Sequence, residues 1–98
     1  LTSTGNNQQI PLRFGLDQNY PNPFNPATVI KYQVPENINV KIVIYDMLGK
    51  VVKTMVNEYK TAGSYEVSFN PKGIASGLYF YKMEAGDFTE VRKMMLIK

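Results

Sequence analysis

Residues 28–34 read Thr-Val-Ile-Lys-Tyr-Gln-Val, and residues 40–45 read Val-Lys-Ile-Val-Ile-Tyr. In the first stretch Ile30, Tyr32 and Val34 fall on one side while Lys31 and Gln33 fall on the other. In the second, Val40, Ile42 and Ile44 alternate with Lys41, Val43 and Tyr45. A period of two is that of a pleated strand, whose successive side chains point to opposite faces. Pro35 stops the first strand, because proline has no amide proton to give to a ladder. Asp46-Met47-Leu48-Gly49 reads as a tight turn: the Asp side chain can accept a local backbone bond, and Gly49 is free to take positive φ. Residues 50–56 then return as the partner strand of a hairpin.

The same period continues towards the C-terminus. Ala62-Gly63 is a turn, after which Tyr65, Val67 and Phe69 alternate with Ser64, Glu66 and Ser68 as far as Asn70-Pro71-Lys72-Gly73. Ser76-Gly77 opens a strand over 78–84 with Tyr79, Tyr81 and Met83 on one face. Ala85-Gly86-Asp87 turns it into a last strand over 88–97. No long window keeps a helical period. Short strands separated by Gly and Pro turns predict an all-β protein, an antiparallel sandwich of about seven strands. Gly63-Ser64-Tyr65 and Gly77-Leu78-Tyr79 repeat one Gly-x-Tyr pattern. Sandwich domains use a Tyr near a strand start to bond back to the backbone, but a tyrosine packed at the core edge is the simpler expectation for each.

The 98 residues suit one domain, which at this size buries roughly 60–70% of its unfolded surface. Residues 1–13, rich in Ser, Thr, Asn, Gln and Gly, read as a linker from an upstream domain, so the chain is expected to be a piece of a longer protein, with the folded domain over 14–98. Residues 17–26 follow as Asp-Gln-Asn-Tyr-Pro-Asn-Pro-Phe-Asn-Pro. Pro21, Pro23 and Pro26 exclude a helix interior or a central strand and push Tyr20, Asn22 and Asn25 towards extended backbone. A stiff, extended loop is predicted, anchored in the core by Tyr20 and Phe24.

The chain has no cysteine and no histidine. Disulfides, thiolate metal sites, cysteine nucleophiles and the usual neutral-pH general base are thereby absent from its chemistry. The eight carboxylates fall mostly on turns or outward strand positions, where solvated charges sit. No catalytic residues, metal ligands or cofactor site are expected. The net charge of +3 is mild and its basic residues are spread along the chain, so no nucleic-acid partner is expected. No apolar run approaches the roughly 20 residues of a membrane-spanning helix. At the C-terminus, Arg92-Lys93-Met94-Met95-Leu96-Ile97-Lys98 sets an apolar block between basic residues. Structurally this is a last strand guarded by charge. Functionally it is a free strand end that a receptor could extend or read, and an edge of this kind also allows a weak homodimer.

Taken in order, residues 16–28 (Leu-Asp-Gln-Asn-Tyr-Pro-Asn-Pro-Phe-Asn-Pro-Ala-Thr), 44–49 (Ile-Tyr-Asp-Met-Leu-Gly), 62–65 (Ala-Gly-Ser-Tyr), 76–81 (Ser-Gly-Leu-Tyr-Phe-Tyr) and 93–98 (Lys-Met-Met-Leu-Ile-Lys) form a specific series. The series resembles the type A C-terminal sorting domain of the type IX (Por) secretion system, over nearly all the chain beyond the linker. The resemblance implies an immunoglobulin-like sandwich that catalyses nothing and needs no cofactor. It implies a covalently fused upstream cargo, carried through the periplasm and then the outer membrane by the type IX translocon. A sortase would then remove the domain, leaving the cargo on the cell surface or released. By position, Pro21, Asn22, Pro23, Phe24, Asn25, Pro26, Gly49, Gly63, Tyr65, Gly77 and Tyr79 match the family's structural motifs. Lys93, Met94, Met95, Leu96, Ile97 and Lys98 are the expected translocon contact. Related modules on extracellular enzymes offer the alternative of a structural or adhesive unit. A carbohydrate-binding module is the third reading, for which Val43, Tyr45 and Phe80 would supply outward apolar side chains.

Overall fold

The two-residue period of the sequence becomes a burial pattern in three dimensions. In the computed structural model, which describes residues 10–98, the strands are β1 (Gly15–Leu16), β2 (Thr28–Val34), β3 (Ile38–Tyr45), β4 (Val51–Lys60), β5 (Gly63–Phe69), β6 (Gly77–Ala85) and β7 (Phe88–Leu96). Along β2, Ile30, Tyr32 and Val34 are buried; along β3 Val40, Ile42 and Ile44; along β6 Tyr79, Tyr81 and Met83. They form one continuous core with Leu16, Phe24, Phe69, Met94 and Leu96. The described residues contain no helix. Of the linker expected over 1–13, residues 1–9 lie outside the described residues, and residues 10–13 carry no strand.

The strands pair as two sheets, β1-β2-β5 and β4-β3-β6-β7, and every ladder is antiparallel. This is an immunoglobulin-like sandwich in which the fourth strand has joined the sheet of the third, sixth and seventh. The turn at 46–49 forms as its residues predict. One Asp46 carboxylate oxygen accepts the Leu48 and Lys50 amides, both at 2.9 Å, and Gly49 stands at φ 84°.

β4 is longer than the sequence suggests, running to Lys60 where a connection was expected from residue 57. Its ladder with β3 skips a residue between the partners of Ile42 and Val43, and again between those of Ile44 and Tyr45. The skipped residues, Met55 and Val52, pack against the core. Each bulge shifts the phase of alternation, so the strand does not show a clean period of two. β4 is also an edge strand, and bulges blunt an edge against unwanted pairing.

Both Gly-x-Tyr repeats bond back to the backbone, beyond the simpler packing role expected of them. The Tyr79 hydroxyl donates to the Ala75 carbonyl and the Tyr65 hydroxyl to the Thr61 carbonyl, each at 2.6 Å and each four residues upstream. Tyr79 sits at the start of the sixth strand, which is the place of the tyrosine corner in immunoglobulin-like sandwiches. Gly77, at φ 147°, lets the chain swing into β6 at an angle that a residue with a Cβ rarely adopts. Tyr65 stacks on buried Tyr32 with centroids 5.4 Å apart.

The two corners differ in exposure, and so should their removal. Tyr79→Phe, at a part-buried bond, is expected to cost about 1 kcal/mol. Tyr65→Phe, whose bond is exposed to competing water, should cost less. Urea denaturation of the two variants checks the order.

Candidate functional site

The proline-rich segment does not run out as an extended loop. It begins alongside β2, where the Asp17 amide donates to the Lys31 carbonyl and Tyr20 exchanges two backbone bonds with Val29, both at 3.0 Å. It then crosses to the other sheet and ends beside β7, where Phe24 and Leu96 form a parallel bridge. Residues 16–24 thus form a strap across one open side of the sandwich, from the edge of β2 to the edge of β7.

Tyr20 is not an anchor, since it is 81% exposed while Phe24 is 1% exposed. The two bonds between Tyr20 and Val29 fix its backbone and turn its ring outward. The second anchor is instead polar. Asn19 is buried; its side-chain amide donates to Thr28 Oγ1 at 2.9 Å and to the Pro21 carbonyl at 3.1 Å. Thr28 Oγ1 donates in turn to that same carbonyl at 2.8 Å. These bonds close the bend that a run of prolines cannot close with its own amides.

Tyr81, fully buried on β6, ties the strap to the core. Its hydroxyl donates to the Asp17 carbonyl and accepts the Asn19 amide, both at 2.7 Å. Burial pushes its pKa up from 10.0 to about 12, against the Asn19 amide and the nearby Arg92, which favour the phenolate. Phenolate there would have to survive without water, and the carbonyl of Asp17 would face it with no proton between.

Along β7 the strap occupies the outer edge. Gln18 Nε2 donates to the Lys93 carbonyl at 2.6 Å, and the Met95 amide donates to Asn22 Oδ1 at 2.9 Å. The Phe24 amide donates to the Met95 carbonyl at 2.9 Å, and the Ile97 amide to the Phe24 carbonyl at 3.1 Å. Arg92 Nε reaches the Leu16 carbonyl at 2.5 Å. The Lys98 amide donates to Ser76 Oγ at 3.1 Å. The terminal strand is therefore not the free end that its sequence suggests. The Lys93 and Met95 carbonyls and the Met95 and Ile97 amides on its edge already have partners from the strap.

Of the six expected contact residues, Met94 and Leu96 point into the core, at 1% and 3% exposure. Lys93, Met95, Ile97 and Lys98 are exposed and present side chains to a partner. In the proline-rich motif, Pro21, Asn22, Pro23, Asn25 and Pro26 are exposed and only Phe24 is core. Gly49, Gly63 and Gly77 lie at turns or strand starts. Val43 faces outward but is buried there, and Tyr45 and Phe80 are half-buried neighbours across β3 and β6, not an open aromatic row. Sequence reasoning missed Gln18, Asn19, Thr28, Tyr81 and Arg92. Tyr81 was legible as a core position, but nothing in its spacing marked its hydroxyl as the strap's tether.

Residues 18–98 match the family described as the secretion system C-terminal sorting domain. The chain belongs to that family. The matched span takes in the strap from Gln18 onward and β7, so the two ends of the sorting domain's signature are one structural unit. No curated protein matches the chain. Among solved structures, CopC from Methylosinus trichosporium OB3b is similar, with TM-score 0.53 over 86% of this chain and 93% of CopC. At 15% identity that likeness concerns the fold alone.

Two outcomes follow for the strap. Tyr81→Phe leaves a part-buried carbonyl and a buried amide without their partner, and should cost about 1–3 kcal/mol. Because the folded pKa is raised, the contribution of Tyr81 is present in full below pH 10.0 and is lost as pH rises towards about 12. The wild type should lose stability across that window and Tyr81→Phe should lose less, as read by urea denaturation over an alkaline pH series. Asn22→Ala should free the Met95 amide, so that its hydrogen exchange rises well above that of its β7 neighbours while the fold persists.

Proposed function

We propose that this sorting domain is a non-catalytic signal that carries a fused upstream cargo through the type IX translocon and across the outer membrane. After passage through the periplasm and the outer membrane, a sortase removes the domain and the cargo is attached at the surface or released. The observation that carries the reading is the family match over 18–98. The geometry supports it in a second way: the most distinctive motif, residues 17–26, is built onto the strand that ends the signature, and each holds the other in place.

Within this reading, residues 93, 95, 97 and 98 supply the surface of the terminal strand and the strap supplies its rigidity. Deleting 93–98 is a poor test of the signal, because it also removes Met94 and Leu96 from the core. Loss of two such side chains costs several kcal/mol (about 2–5 for a single truncation to Ala), which is enough to unfold a small domain. The clean experiment appends the whole chain to a fluorescent protein and expresses the fusion in two strains, one with a type IX translocon and one without. Fluorescence at the surface or in the medium is expected only in the first strain. Equal retention inside both would overturn the proposal.

A further inference from the structure

The strap takes up most of the edge at the end of the terminal strand, so a receptor that reads this end meets chiefly its side chains. Strand addition needs an edge with unpaired amides and carbonyls, and over 93–97 the Lys93 and Met95 carbonyls and the Met95 and Ile97 amides are bonded to Gln18, Asn22 and Phe24. The strap is also no loose cover, since Phe24 and Asn19 are buried and Tyr81 tethers it from the core. What β7 offers outward is side chains on the outer face of the four-stranded sheet.

That face is apolar at the end where β7 finishes. In the ladder between β6 and β7, Met95 lies opposite Leu78 and Lys93 opposite Phe80; Phe80 in turn lies opposite Tyr45 on β3. The turn between β3 and β4 stands beside them with Met47 67% and Leu48 93% exposed. Two shallow clefts, about 280 and 360 Å³, flank the turn and share Asp46 and Met47 as a wall. One reaches Leu78 and Tyr79, the other Phe80 and Lys82. A leucine fully exposed at the tip of an ordered turn gains nothing for the fold. Buried in a partner, it would contribute about as much as a core residue.

The rim of this patch is basic. Lys50, Lys93 and Lys98 are exposed, and none of them has a carboxylate partner among the described residues. Lys82 has Glu84 at 3.6 Å. The Asp46 carboxylate is already engaged by the Leu48 and Lys50 amides. We infer that the outer face around Met47, Leu48, Leu78, Met95 and Ile97 is a docking surface for a folded protein whose contact patch is apolar at its centre and carboxylate-rich at its rim. The inference rests on the sorting reading for its setting, and it names the side chains rather than the strand edge as what is read.

The test uses the same fluorescent fusion in the translocon-bearing strain, as wild type and as Leu48→Asp, Met95→Asp and the double variant Lys93→Glu/Lys98→Glu. All these positions are exposed, and thermal unfolding confirms that each variant folds. Surface delivery is expected to fall at least tenfold in each, with the folded protein accumulating inside. Variants that travel like the wild type would overturn the docking face and leave the sorting reading intact. A wild type that fails to travel would overturn the sorting reading as well. Sedimentation of the purified fusion and its flotation with phosphatidylglycerol vesicles decide the occupant. A monomer that ignores the vesicles is the expected result. A dimer abolished by Leu48→Asp, or vesicle binding abolished by Lys93→Glu/Lys98→Glu, would give the face to a second copy or to lipid and overturn the inference.

Discussion

The hydroxyl of Tyr81 is a polar atom in a dry core, and the rest of the arrangement depends on how it is satisfied. A buried hydroxyl without partners costs about 1–3 kcal/mol, a large share of the roughly 5–15 kcal/mol that hold a domain together. Here the partners are the Asp17 carbonyl and the Asn19 amide, both main-chain groups at the start of the strap. With these fixed, Asn19 can hold Thr28 and Pro21, the prolines can cross between the sheets, and Phe24 arrives beside Leu96. Backbone groups that prolines cannot satisfy among themselves are satisfied by side chains sent from elsewhere.

The four-stranded sheet has two edges, and they are guarded by different means. β4 is guarded by its own irregularity, two bulges that pull Met55 and Val52 inward. β7 is guarded over residues 93–97 by a cover from another part of the chain. An uncovered, regular, apolar strand at that position would be a template for aggregation. The cover also divides the labour along β7: Met94 and Leu96 hold the core while Met95 and Ile97 face out.

Much of this was legible in the sequence where one face of a strand is wet and the other dry. β2, β3, β5 and β6 could be read from alternation alone, and the turn at 46–49 from the chemistry of Asp and Gly. Alternation failed along β4, because bulges break the phase and an edge strand has little to bury. It also misplaced Tyr20, since a large aromatic between polar neighbours looks like an anchor until its backbone is seen to be paired with Val29. Asn19 carries no mark in the sequence and is a buried crosslink. The union of strap and terminal strand was not legible at all, because hydrogen bonds to main-chain groups leave no residue pattern at a separation of more than seventy positions.

That separation has a temporal side. Contacts between Gln18 and Lys93, or Asn22 and Met95, span 75 and 73 positions, and such closures come late because the intervening chain must first be ordered. The early-synthesised half of the signature waits, unfinished, for the last-synthesised half. A polypeptide broken off before Met95 carries every proline of the motif but lacks the groups of Met95 and Ile97 that hold Asn22 and Phe24. The finished domain therefore works as a receipt for an intact chain: whatever recognises its folded form accepts only molecules whose synthesis reached the final strand.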